Sequence, residues 1–341
     1  MPDAHRLLAA IPAPAILIGP DDDVAAANGP AVDLFPRLKI GEPLWTGVRA
    51  PDIFAAASAA RQGGRASVEH VERIPVERRY AVEATLEPES GGAVLLLFND
   101  RTAELAAERM RTDFVANASH ELRTPLASLI GFIETLQGAA RNDANARDRF
   151  LGVMSDQARR MARLIDDLLS LSRIEMNRHV PPSAPVNVEG VVREAVDGLR
   201  LVARDRQAQL HLKTESGPWT VAGDRDELYR VVENLVENAL KYGRDGGRTD
   251  VLVGAGASLP GDGRAVKIVV SDDGPGIAPE HLPRLTERFY RVDAKESRQK
   301  GGTGLGLALV KHIVGRHRGR LDIASEVGKG SSFSITLPLL R

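Results

Sequence analysis

Residues Phe150 to Leu171 read FLGVMSDQARRMARLIDDLLSL. Phe150, Met154, Gln157, Met161, Leu164, Leu168 and Leu171 fall at alternating steps of four and three, the heptad spacing of a helical seam. Arg141 to Asn145 is a polar turn in front of this helix. Before the turn, Thr102 to Ala139 holds one proline, Pro125, and two isolated glycines. At about 1.5 Å per residue it could make a helix on the order of 57 Å long. The two segments predict an antiparallel helical hairpin, either folded into a globule or paired with a second copy. A hairpin this long has few internal partners, so a dimeric four-helix bundle is the favoured expectation.

Inside the first helix lies Ser119-His120-Glu121-Leu122-Arg123-Thr124-Pro125-Leu126. Phe114, Ala118, Leu122 and Leu126 recur at helical spacing around His120, which predicts a histidine beside the seam and facing outward. A neutral imidazole there is a competent nucleophile near neutral pH. Glu121 is next to it and suited to hold the ring's tautomer and accept its proton. Thr124, one turn on, can orient a water, and Pro125 removes a backbone donor and should bend the helix. A helical His-Glu pair alone is commonly a solvated surface pair; the whole octapeptide is far more specific.

On either side of the hairpin the texture changes. From about residue 5 to 100, short apolar runs alternate with turn signals: a strand beginning within Ile11 to Ile18, then strands at Ser67–Ile74, Arg79–Leu86 and Ala93–Phe98. A small antiparallel sheet with a few short helices fits. Val180 to Pro185, with three prolines, breaks the second helix and predicts a linker. From Val186 to Arg341 strand and helix patterns alternate: a strand at Arg264–Ser271, a helix at Gly304–Arg316 and a closing strand at Ser331–Pro338, hence an α/β sandwich.

Composition narrows the classes. With 341 residues the chain is long enough for two or three domains, and 43% hydrophobic residues suffice for real cores. Lysine plus arginine, 45, nearly cancels aspartate plus glutamate, 46, which gives no footprint for nucleic acid. The absence of cysteine removes disulfides, thiolate metal sites and a flavin photosensor that works through a cysteinyl adduct. It also fits a reducing cytoplasm. The longest apolar runs are far short of the roughly 18 residues of a membrane helix. The expectation is therefore a cytoplasmic chain with no membrane span, either whole or the soluble portion of a membrane receptor.

Three further stretches carry chemistry. In Glu233-Asn234-Leu235-Val236-Glu237-Asn238-Ala239-Leu240-Lys241-Tyr242, Asn234 and Asn238 share one helix face. Carboxamide oxygens suit Mg²⁺, which usually shares its coordination with substrate phosphates, and Lys241 adds a point charge. A merely polar amphipathic helix is the plain alternative. Asp272-Asp273-Gly274-Pro275-Gly276-Ile277 follows a strand and could offer a carboxylate to an adenine amino group, though D-x-G-x-G by itself is common. Gly301-Gly302-Thr303-Gly304-Leu305-Gly306-Leu307 opens a helix, where free N–H groups suit phosphate oxygens. No strand leads into it, which argues against a dinucleotide unit. The basic segment before it, with Arg288, Arg291, Arg298 and Lys300, reads as a lid closing over a triphosphate.

In this order and at this spacing the motifs resemble those of the sensor histidine kinases of two-component systems. His120 to Pro125 resembles that family's H-box, Asn234 to Tyr242 the N-box, Asp272 to Ile277 the G1 box, Arg288 to Arg291 the F-box and Gly302 to Leu307 the G2 box. Gly330 to Pro338 is similar to its last strand. The resemblance implies a multidomain α+β chain: a dimerisation and phosphotransfer domain over 101–179 and a Bergerat-type ATP-binding domain over 186–341. Residues 1–100 more loosely resemble a PAS sensor domain, notably at Ala25 to Ala31, and PAS followed by this core resembles the phosphate-regulon, PhoR-type subgroup. ATP and Mg²⁺ are the implied cofactors, a second copy and a response regulator the implied partners. By motif position Asp272 should hold the adenine amino group and Asn238 the Mg²⁺. Asn234, Lys241, Tyr242, Gly274, Gly276, Arg291, Gly302, Thr303, Gly304, Leu305 and Gly306 should surround the nucleotide. His120 is the implied phosphoacceptor, Glu121 its base, and Thr124 the residue that aligns water when the partner is dephosphorylated.

Rival readings are a phosphatase-biased or non-catalytic signalling scaffold and a hydrolytic ATPase of the same nucleotide-binding superfamily. The hydrolases place a glutamate one turn before the Mg²⁺ asparagine. Here that place holds Asn234, and Glu233 is expected to be rotated about 100° away.

Overall fold

A run of alternating apolar residues needs free backbone donors before it can enter a sheet. Ile11-Pro12-Ala13-Pro14 lacks two of them, so the first strand begins at Ala15 and not at Ile11. In the computed structural model, which describes residues 2–73, 77–87, 91–177, 179–259, 263–293 and 302–340 (backbone only for 2–5, 110 and 111), the chain forms two compact units, Met1–Asp113 and Phe114–Arg341. Ile74, Arg298, Lys300 and Gly301, all assigned above, lie outside the described residues.

The first unit opens with α1 (Pro2–Ala9), β1 (Ala15–Ile18), β2 (Val24–Ala27), α2 (Gly29–Leu34), α3 (Leu44–Gly47) and α4 (Pro51–Gly63). Then come β3 (Arg65–Glu72), β4 (Arg78–Leu86) and β5 (Val94–Asp100). The sheet order is β2-β1-β5-β4-β3, with every pair antiparallel. Ile16, Ile18, Leu96 and Phe98 fill its inner face, with Ile53 of α4 against them. Asn28 is the polar anchor of this core. Its Oδ1 accepts from Ala15 N and from Ala31 N, both at 3.0 Å, capping α2. Its Nδ2 donates to the Ile11 and Ala13 carbonyls.

The second unit carries most of the long helix α5 (Thr102–Gln137), which continues through Pro125, and α6 (Ala144–Met176), capped by Asp143. The heptad seam faces inward as expected: Leu164 and Leu171 are buried, Met161 and Leu168 are half-buried, and Phe132 of α5 meets Phe150 of α6 at 5.2 Å between ring centroids. Ala184 and Pro185, read above as linker, belong to a strand, β6 (Ala184–Asn187). Its partner is β8 (Thr220–Gly223), and a two-stranded ribbon tolerates the missing proline donor.

Between these strands run α7 (Val188–Asp205) and β7 (Gln209–Thr214). After them follow α8 (Arg225–Tyr242), β9 (Arg248–Gly256), β10 (Ala265–Asp272), a 3-10 turn (Pro279–Arg284), α9 (Gly306–Arg316), β11 (Arg320–Glu326) and β12 (Gly330–Pro338). The sheet order is β11-β12-β10-β9-β7, with β7 parallel to β9 and the other pairs antiparallel. Register sets Val253, Ile268 and Ile335 side by side on the buried face. On that face α8 lays Leu228, Val231, Val232, Leu235 and Val236, at helical spacing. Each such fully buried aliphatic side chain contributes about 1.5–3 kcal/mol of burial. This packing fixes which side of α8 is left for polar groups.

Candidate active site

The side of α8 turned from the core forms one wall of a cavity of about 480 Å³, with the end of β10 and the start of α9 as the others. Asn234, Asn238, Lys241, Tyr242, Asp272, Gly276, Arg291, Gly302, Thr303, Gly304 and Gly306 all line it. Of the nucleotide residues expected above, Gly274 and Leu305 are absent from the wall. Leu305 is fully buried and anchors α9 in the core; its contribution to the loop is a backbone N–H, 3.3 Å from Thr303 Oγ1. Gly274 acts from behind, donating its N–H to Asp272 Oδ1 at 2.9 Å.

Asp272 stands at the last register pair of β10, opposite Ser331 of β12. Burial pushes its carboxyl above the usual range; the Gly274 and Ser331 N–H groups pull the other way, and Asp273 adds to the rise. Pro275, Ile277, Leu285 and Phe333 supply an apolar lining at this end. Gly276 holds φ +72°, and a Cβ there would run into the Glu326 carbonyl, so the loop needs glycine. A flat apolar slot with one carboxylate acceptor is what a heteroaromatic base bearing an amino group requires.

The other end is cationic. Lys241 is 7% exposed, and its ammonium lies over the Tyr242 ring at 5.7 Å from the centroid. Burial lowers its pKa to about 8, against Glu237, which raises it, while Arg163, Arg206 and Arg291 lower it further. A bound polyphosphate restores the proton, so affinity for one should fall as pH rises through about 8. We expect binding of a polyphosphate to weaken about tenfold between pH ~7 and ~9, with Lys241→Arg, always charged, flattening the profile in calorimetry.

Asn234 Nδ2 donates to the Arg230 carbonyl at 2.8 Å, which leaves its oxygen for the cavity. Among the described residues Asn238 has no protein hydrogen bond to its carboxamide, although it lines the wall. No group of three or more acidic or histidine side chains able to hold a metal occurs among the described residues. A single carboxamide oxygen fits Mg²⁺ of the kind that keeps its waters and is shared with phosphates.

The glycine loop is shaped by close contact. Phe289 has φ +62°, uncommon for a bulky residue, and donates its N–H to the Gly304 carbonyl at 2.8 Å. Gly304 in turn has φ +73°, and a Cβ on it would lie 2.9 Å from the Phe289 backbone. Phe289 packs on Phe114 of α5 at 6.0 Å.

The hairpin closes the cavity, which sequence reasoning missed. Arg163, Asp166 and Asp167 of α6 line it, as do Arg230, Glu233 and Glu237 of α8. Glu233 is thus not turned away by helix rotation: the cavity wraps far enough round α8 to take in neighbouring positions. Burial, then Glu237, raises its carboxyl above the usual range. His120 and Thr124 are exposed on α5 and outside the wall, and Thr124 Oγ1 donates to the His120 carbonyl at 3.2 Å. Glu121 is linked to the site through Arg291, whose Nη2 lies 2.9 Å from Glu121 Oε2, and it is also held by Arg160 at 3.2 Å.

Known proteins share both halves of this arrangement. Residues 110–177 match the model of the His Kinase A (phospho-acceptor) domain, and residues 223–341 that of the histidine kinase-, DNA gyrase B- and HSP90-like ATPase. Over 262 residues the chain is 39% identical to the phosphate regulon sensor protein PhoR of Pseudomonas aeruginosa, a match covering 76% of this chain and 57% of that protein. The chain belongs to the two-component sensor histidine kinases. The sensor-like histidine kinase SenX3 of Mycolicibacterium smegmatis is 36% identical over 244 residues, or 72% of this chain and 62% of SenX3. This histidine kinase chain therefore spans less than two thirds of the length of these curated relatives. Two solved histidine kinases share its fold: ThkA in complex with the response regulator protein TrrA (TM-score 0.54, 19% identity, 98% of each chain) and Acinetobacter baumannii AdeS (TM-score 0.50, 24% identity, 65% of this chain and 98% of that one).

Proposed function

We propose that this sensor histidine kinase moves the γ-phosphoryl of ATP to His120 and then to an aspartate of a response regulator. The observation that carries the reading is the single cavity joining the Asp272 slot, Asn234, Asn238 and Lys241 of α8 and the glycine loop, in the same compact unit as an exposed His120. Asp272 would take the adenine amino group, and Lys241, Arg291 and the loop N–H groups the phosphates. Mg²⁺ held by Asn238 would offset phosphate charge. An imidazole nitrogen of His120 forms the P–N bond, the bond from γ-phosphorus to the bridging oxygen breaks, ADP leaves, and Glu121 accepts the imidazole proton. Catalysis by this chain is then positioning and electrostatics.

The domain assignment follows: 101–179 as the dimerisation and phosphotransfer domain, 186–341 as the ATP-binding domain and 1–100 as a PAS-like sensor. The order β2-β1-β5-β4-β3 with intervening helices supports the last of these. Leu126, Ile130 and Ile133 of α5 repeat at four and three and stay exposed in one chain, as do Ile165 and Leu169 of α6. That stripe supports a homodimer closing a four-helix bundle. Exposed Thr124, one turn from His120, supports dephosphorylation of the response regulator. No helix among the described residues is long and apolar enough to cross a membrane. The use of ATP and a response regulator supports a cytoplasmic reaction.

Glu233 on the cavity wall favours one second reading, ATP hydrolysis with Glu233 as base. Incubation with γ-labelled ATP and Mg²⁺ separates the two. Protein-bound label that survives base and is lost in acid is the expected result; free phosphate without bound label would establish the hydrolase.

A further inference from the structure

Three cationic or hydroxyl groups of the cavity wall, Thr303, Arg230 and Arg291, are each held by a carboxylate of the helical hairpin. Thr303 of the glycine loop donates its hydroxyl to Asp167 Oδ2 at 2.9 Å. The second oxygen of Asp167 takes Arg230 Nη2 at 2.9 Å, and Arg230 also binds Ser170. Arg291 is bidentate on Glu121, at 2.9 and 3.5 Å, and its side chain is 6% exposed. Arg288 pairs with Glu175, near the end of α6, while its guanidinium lies over Phe114 at 5.2 Å from the ring centroid.

We infer that Asp167, with Glu121, is an internal stand-in for the phosphates and that the Glu175–Arg288 pair tethers the same docked pose, so that docking of the hairpin on the cavity and binding of a triphosphate oppose each other. The inference rests on the nucleotide reading of the cavity. A carboxylate presents two acceptor oxygens to a hydroxyl and a guanidinium much as a phosphate does. Thr303 and Arg291 line the cavity, and so does Asp167, whose side chain is only 16% exposed. A triphosphate entering there would compete for the same donors and meet a like charge held in low dielectric. Asp167 also resists leaving, because it would abandon Arg230 and Thr303 together.

The arrangement has a second consequence. Glu121, the proposed proton acceptor, is held by Arg160 and Arg291 in the docked pose, and His120 lies outside the cavity wall. Phosphates that draw Arg291 away release Glu121 in the same act. Substrate binding and readiness of the base are then one equilibrium, and coupling of this kind is reciprocal.

The opposition grows with phosphate charge, which gives the test its shape. Binding of ATP, ADP and adenosine to the full chain would be measured by calorimetry for wild type, Asp167→Asn and Glu175→Gln. The expected result for Asp167→Asn is ATP binding tighter by on the order of tenfold, ADP by less and adenosine unchanged. Glu175→Gln should shift the same way to a smaller extent, which keeps the test alive should the first variant fold poorly. Unchanged or weaker ATP binding in folded variants would overturn the proposal, as would equal tightening for all three ligands, the mark of a plain steric gate. ATP binding to none of the proteins would instead overturn the nucleotide reading, and this inference with it.

Discussion

His120→Gln should bind ATP as the wild type does and take no base-stable, acid-labile label. His120 is exposed on α5. Glutamine is a good helix former, and a surface change of this kind costs within about 0.5 kcal/mol, so affinity should hold to about twofold. What disappears is the nitrogen lone pair that forms the P–N bond, for which a carboxamide has no equivalent. The covalent product should therefore vanish and not merely slow. Residual label would shift the acceptor to another histidine. Five other histidines lie on the same unit: His317 is buried, with its Nε2 accepting from Asp224 N at 3.0 Å, His281 shares a hydrogen bond with Tyr290 at 2.7 Å, and His179, His211 and His312 would be substituted in turn. A variant that loses ATP binding as well would contradict the separation of His120 from the cavity wall.

Much of this arrangement was legible because the forces that set it are local. The heptad steps from Phe150 to Leu171 identify the inward face of α6, and Leu164 and Leu171 are buried there. The two strands read in the second unit, Arg264–Ser271 and Ser331–Pro338, match β10 and β12 to within one residue at each end, and β10 buries one alternate set while β12 is buried along most of its length. The site glycines were legible as such, although the reason for Gly304 was not: it leans on Phe289, whose left-handed backbone no pattern announces. Periodicity says which face of a helix is covered, never by what, so nothing in the heptad pattern points Asp167 and Arg163 at the cavity. Helix rotation likewise set Glu233 apart from Asn234, yet a wide cavity takes in both. Pro185 was read as a breaker, and only the ribbon with β8 makes a strand position for it.

Asp272→Asn should cost on the order of a hundredfold in ATP affinity while leaving the fold intact. The two side chains share a shape, so the Gly274 N–H can still be accepted by the remaining oxygen. The other terminus becomes an amide donor facing the base. An adenine amino group is also a donor, and two donors opposed in a half-buried slot lose a hydrogen bond and leave both partners unsatisfied. The same geometry favours a base that presents an acceptor at that position, as guanine does with its carbonyl. Discrimination between ATP and GTP should therefore narrow or invert in the variant, which a general loss of structure would not produce. Melting temperature provides the control, since the Ser331 and Gly274 contacts of residue 272 sit at the end of β10, past its last buried apolar residue, Val270. If the variant instead keeps its preference for ATP with little loss of affinity, the base does not lie at the Asp272 end. The cavity must then be read with the phosphates elsewhere, and the competition assigned to Asp167 would lose its ground as well.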